Sequence, residues 1–340
     1  MTTALITKLT LSNQNLTSNA SDSTLGVTSE TTSDPQSYPH IPFDPEEKFE
    51  EEVLPSVTPQ SNTIKIGIVV DDYTNSNGTI TSLEKQTGYT FSNVSVYKQF
   101  GSQFNSRLPI EQVQFIRSSG KRLVVAWEPW NPDEGNSQSR DFLSEISTGA
   151  LDSYLSDFAQ DIKAYGSPIT IRFGHEMNGN WYPWGQRPLE YSAAYRYIHD
   201  FFLYRGVSNV TWMWSINNES VPTENISLVS RFYPGNEYVD VIGIDGFNFG
   251  STNGSQWKSF DTLFYKSYSY LASTYSKPIV ISETASSEEG GNKSLWIKEM
   301  FASLKSKYPR ITEITWFNLI KETDWRIEST DSSLKAFSSH

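Results

Sequence analysis

The chain has 340 residues, 37% apolar and 14% aromatic, with no cysteine and a formal net charge of −12. That is ample material for a full core in one large domain or two. The acidity, with no cluster of Lys and Arg to displace counterions, argues against nucleic acid as a partner, and the missing thiols exclude disulfides and thiolate metal sites.

Residues 1–60 are dominated by Ser, Thr, Asn, Pro and Gln, with an acidic run from Glu46 to Glu52. Such a segment buries too little apolar surface to offset the entropy of ordering. It reads as a tail or linker, or as an arm that orders against a partner, ahead of one domain over 61–340 that begins near Ile64. The apolar patch from Ala4 to Leu9 is interrupted by Lys8 and is too weak for an ordinary signal peptide. No run reaches the length of a membrane-spanning helix.

From Ile64 onward the pattern repeats as strand then helix. Apolar, β-branched runs occupy 64–70, 94–98, 123–127, 169–173, 210–214, 239–244, 278–281 and 311–317. Helix-like segments lie between them, for example at 150–165, 191–202, 260–275 and 295–307, with apolar residues at helical spacing and Gly or Pro near their ends. Eight such units in roughly 280 residues predict a (β/α)₈ TIM barrel better than a doubly wound sheet.

In a barrel the chemistry sits where strands end, and polar and aromatic residues cluster there. Glu176 follows the fourth run and Glu283 ends the seventh, so closure would set two carboxylates across one cleft. That pairing suggests glycoside hydrolysis, with about 5 Å between carboxyl groups in a retaining mechanism. Arg172 would favour an ionised nucleophile. Tryptophan faces would stack on sugar rings, and Asn178 and Asn217 could bind their hydroxyls. Trp127 and Trp130 are divided between core and subsite. Trp212 and Trp214 share one face of a strand and read as core. Glu128 reads as the partner of an arginine or as a third site carboxylate, and Asp245 and Asn248 as sugar-binding or structural. The histidines are too scattered to make a metal site, no nucleophile elbow or phosphate loop is present, and no cofactor is expected.

The run Arg172-Phe-Gly-His-Glu-Met-Asn-Gly-Asn-Trp-Tyr-Pro-Trp-Gly185 resembles glycoside hydrolase family 26, with support from 233–246, Ser282-Glu-Thr284 and Asp324-Trp-Arg326. The resemblance spans about residues 64–328. It implies a retaining enzyme with Glu176 as general acid/base and Glu283 as nucleophile. His175 would orient the site, Trp181 and Trp184 would shape sugar subsites, and Trp316 would form an aromatic floor. The chain departs from the family's mannanases at Tyr182-Pro183-Trp184-Gly185, where many have Phe-Trp-Trp-Gly. It departs again at Phe247, where members often carry a tyrosine touching the nucleophile. The expected activity is endo-hydrolysis of a β-1,4-glycan by a monomer, with β-mannan first and mixed-linkage β-glucan as the alternative. A carbohydrate-binding pseudoenzyme is the reading from another class. A polymeric substrate favours an extracellular location, which the sequence does not otherwise mark.

Overall fold

The computed structural model describes residues 63–101 and 107–340; the expected tail over 1–60 lies outside the described residues. Eight strands close into one parallel barrel in sequence order. They are β1 (Lys65–Val69), β2 (Asn93–Gln99), β3 (Arg122–Glu128), β4 (Ile169–Phe173), β5 (Val210–Asn217), β6 (Val241–Asn248), β7 (Ile279–Ser286) and β8 (Ile311–Phe317). The helices are α1 (Thr79–Thr87), α2 (Gln114–Ser118), α3 (Phe142–Ser147), α4 (Asp152–Tyr165), α5 (Pro188–Tyr204), α6 (Phe260–Thr274), α7 (Lys293–Ser306) and α8 (Asp331–Ser338). Between β5 and β6 the connection is made by short 3₁₀ turns at Ile226–Phe232 and Asn236–Tyr238. Among the described residues no helix is long and apolar enough to cross a membrane.

Side chains alternate between the two faces of a strand, so a barrel sorts each strand into an interior set and a set facing the helices. Contacts between strands that are not neighbours identify the interior set. Asn93 of β2 bonds to Glu313 of β8, Arg172 of β4 to Glu283 of β7 and Asp245 of β6, and Ser215 of β5 to Ser282 of β7. Residues of the opposite parity fill the layer between sheet and helices. Trp212 and Trp214 belong there, as their period-two spacing predicts, with Trp214 fully buried against Tyr233 and Tyr275.

The strands meet in regular register except around β7, where the pairing shifts against both β6 and β8. A shift of this kind places consecutive residues on one side of a sheet. Ser282 Oγ donates to Asp245 Oδ1 at 2.7 Å, while Glu283 reaches Arg172 and Tyr97. Both neighbours therefore point inward, and the irregularity is what delivers Glu283 to the barrel mouth.

Candidate active site

Strand β4 ends at Phe173, and Gly174 (φ 51°) and Glu176 (φ 54°) both take left-handed backbone conformations. Such a conformation disfavours a non-glycine residue and persists only where the surroundings over-determine it. Here the Glu176 N–H donates to Ser215 O at 2.9 Å and its carbonyl accepts from Gly179 N. The turn thus locks the Glu176 side chain over the end of the barrel. Its Oε1 accepts from Asn217 Nδ2 at 3.0 Å and its Oε2 from Trp181 Nε1 at 2.7 Å.

Glu283 has different company. Its Oε1 accepts from Arg172 Nη1 at 2.6 Å and from the Tyr97 hydroxyl. Arg172 is fully buried, and its other Nη donates to Asp245, whose carboxylate also takes the hydroxyls of Ser215 and Ser282. A buried cation needs this density of acceptors to offset its lost hydration. Arg172 lies beneath the cleft and reaches it only through Glu283.

Burial sets the electrostatics of the cleft. Burial raises the Glu176 carboxyl above the usual carboxylate range, and the nearby Glu283 charge adds to the rise while Asn217, Arg172 and Trp181 oppose it. Burial also pushes Glu128 up to about 7, opposed by hydrogen bonds from Gln99 and Trp130. His175 is held well below its ordinary value by burial and by the charges of Arg172 and Lys321, so its ring is neutral near pH 7. Its Nε2 stands 3.3 Å from the Tyr182 hydroxyl.

Several expected substrate contacts are corrected by the structure. Trp127 and Trp316 have the wrong parity for the cleft and are fully buried. Trp127 packs on Phe158 and Phe100; Trp316 packs on Phe337 and donates its Nε1 to Trp325 O. Trp184 is covered by Tyr182, stacked at 4.2 Å, and Trp130 is buried edge-on to both. Asn178 spends its side chain on the backbone of Asn217 and Glu219 and on Ser220, which ties the β4 and β5 loops together. Among the described residues Glu128 pairs with no arginine; its hydrogen-bond partners are Gln99 and Trp130. Trp181, Asn217 and Phe247 remain partly exposed at the mouth, Phe247 resting on Phe317 and Trp325. The hydroxyl donor expected to be missing with Phe247 is supplied by Tyr97 instead. Tyr97 escaped the sequence reading because it lies in a distant strand, and its inward parity in β2 is the only signal that could have found it. Asp245, left between sugar-binding and structural roles, is structural and completely buried.

The model of glycosyl hydrolase family 26 matches residues 133–288, a stretch that contains both glutamates. Over these residues the chain is similar to this family. Among its relatives, Endoglucanase H of Acetivibrio thermocellus is 41% identical over 231 residues, covering 65% of this chain and 24% of that protein. A mannan endo-1,4-beta-mannosidase of Bacillus subtilis is 28% identical over 200 residues, covering 53% of this chain and 49% of the relative. The chain therefore spans about a quarter of the first relative's length and about half of the second's. The barrel also resembles the catalytic domain of the family 26 endo-beta-1,4-mannanase of Bacillus sp. JAMB-750, with TM-score 0.61, 20% identity and coverage of 81% of this chain and 84% of that one. At that identity the likeness concerns the fold.

Proposed function

We propose that the protein is a retaining endo-β-glycanase in which Glu176 is the general acid/base and Glu283 the nucleophile. The observation that carries this reading is the contrast between two carboxyls at one barrel mouth. Glu176 is shielded and raised, suited to keep a proton; Glu283 is held in place by a guanidinium and a phenol, suited to point one oxygen at a substrate. In the first step the Glu176 proton passes to the glycosidic oxygen as Glu283 attacks the anomeric carbon. The bond to the leaving sugar breaks and a glycosyl ester forms. In the second, the Glu176 carboxylate takes a proton from water, whose oxygen attacks the same carbon and releases Glu283. Trp181 and Asn217, which touch Glu176, flank the leaving group. Residues 61–340 form the catalytic domain in this reading.

The substrate we favour is a β-glucan, because the 41% identical relative carries the name Endoglucanase H and the chain has Tyr182-Pro183 where many mannanases are doubly aromatic. β-Mannan is the second reading, supported by the mannan endo-1,4-beta-mannosidases at 25–29% identity. Assaying wild type, Glu176→Gln and Glu283→Ala on mixed-linkage glucan, mannan, xylan and laminarin tests both. Release of sugar from glucan by wild type alone is expected. A wild type inactive on every polymer, or a fully active Glu283→Ala, would overturn the assignment.

A further inference from the structure

Glu128 ends β3 with its side chain in the barrel interior and is 3% exposed. Its two oxygens are unequal. Oε2 accepts from Gln99 Nε2 at 2.5 Å and from Trp130 Nε1 at 3.2 Å. Oε1 has no hydrogen-bond donor among the described residues. The nitrogen nearest to it in an ion-pair geometry, His175 Nε2, is 3.8 Å away, beyond hydrogen-bond reach, and belongs to a neutral ring. This oxygen keeps some solvent access and is open to a donor from the cleft.

The position of this oxygen says what could satisfy it. Tyr97 and Gln99 are successive inward residues of β2; the first bonds to Glu283 and the second to Glu128. Glu128 therefore flanks the nucleophile on the side away from Asn217 and Trp181, which hold the acid. Given the proposed mechanism, on which this inference rests, the leaving group lies past Glu176 and the glycone sugars lie toward Glu283. We propose that Glu128 is a glycone-side binding residue whose Oε1 accepts a hydrogen bond from a hydroxyl of an uncharged sugar.

Aryl β-cellobioside and aryl β-mannobioside fill only the glycone side, since their leaving group is a phenol. For Glu128→Ala and Glu128→Gln, kcat/KM on whichever bioside wild type cleaves should fall by about 10- to 100-fold, mainly through KM. The same loss should appear on the polymer. The partition of the glycosyl-enzyme between water and added cellobiose, which reports the opposite side, should stay at the wild-type ratio. Glu128→Gln keeps an acceptor for Gln99 and Trp130, so it decides the matter if Glu128→Ala does not fold. Wild-type kcat/KM in a folded Glu128→Gln, or a change confined to the acceptor partition, would overturn the inference while leaving the proposed function intact. A wild type that cleaves neither bioside nor polymer would instead defeat the proposed function and this inference with it.

Discussion

Glu176 and Glu283 are the same chemical group made unlike by what surrounds them, and the predictions at residue scale follow from that difference. Removing the proposed acid by Glu176→Gln should lower kcat/KM on the polymer, which reports the first step, by about 10²- to 10⁴-fold. The loss should be far smaller on an aryl glycoside whose phenolate leaves without a proton, and an equal loss on both would contradict the acid role. Arg172 carries the opposite kind of prediction. Replacing it with Met leaves Asp245 and Glu283 buried without their cation, and should cost about 3–5 kcal/mol in denaturant unfolding. Glu128 links site chemistry to stability. Its carboxyl is raised from 4.5 to about 7, so the folded state holds a proton that the unfolded chain releases in that window. Stability is therefore lost as pH rises from about 4.5 to about 7, by a contribution on the order of 3 kcal/mol. Glu128→Gln should flatten the pH dependence of unfolding free energy over this range, and an unchanged slope would contradict the shift.

At the scale of elements, the irregular pairing of β7 and the tight turn after β4 do the positioning, and glycines mark where each is crowded. A Cβ on Gly243 would stand 2.4 Å from Ser282 Oγ and 2.9 Å from Ser215 Oγ, the two hydroxyls that serve Asp245. A Cβ on Gly179 would stand 2.4 Å from the Trp181 ring. Trp181 is only half-buried and can move, so Gly179→Ala should fold with a near-native melting temperature. It should nonetheless lose about 10-fold in kcat as the bond to Glu176 is broken; unchanged kcat would show that Trp181 does not tune the acid. Elements also show where the sequence misleads. Trp127 and Trp316 sit next in sequence to inward-facing Glu128 and Phe317, and one step along a strand reverses the face. Strands β5, β6 and β7 continue past the ends read from the sequence because Ser215, Asp245 and Glu283 remain in the sheet. Their polarity, which serves the interior network, interrupts the apolar pattern that marks a strand.

The described residues form a barrel whose closure between β1 and β8 brings together residues as distant as Tyr97 and Glu283. Its architecture was legible because each strand and the four longest helices carry their own periodicity; β4 and β8 fall on the residues read from sequence alone. The two glutamates were legible because each sits in a local motif. Tyr97, Asp245 and the inward role of Glu128 were not, because they depend on which strands face one another across the interior. Since all eight strands lie within 65–317, a chain beginning at residue 61 should keep the melting temperature and polymer activity of the full chain. A fall in either would assign residues 1–60 a part in the domain. The central claim is that Glu283 attacks the anomeric carbon and Glu176 then activates water at the face the leaving group has vacated. Following the anomeric protons by NMR while wild type hydrolyses mixed-linkage glucan, or mannan if glucan is refractory, tests it directly. The first-formed reducing ends should be β and should mutarotate to α; α ends appearing first would contradict the double displacement.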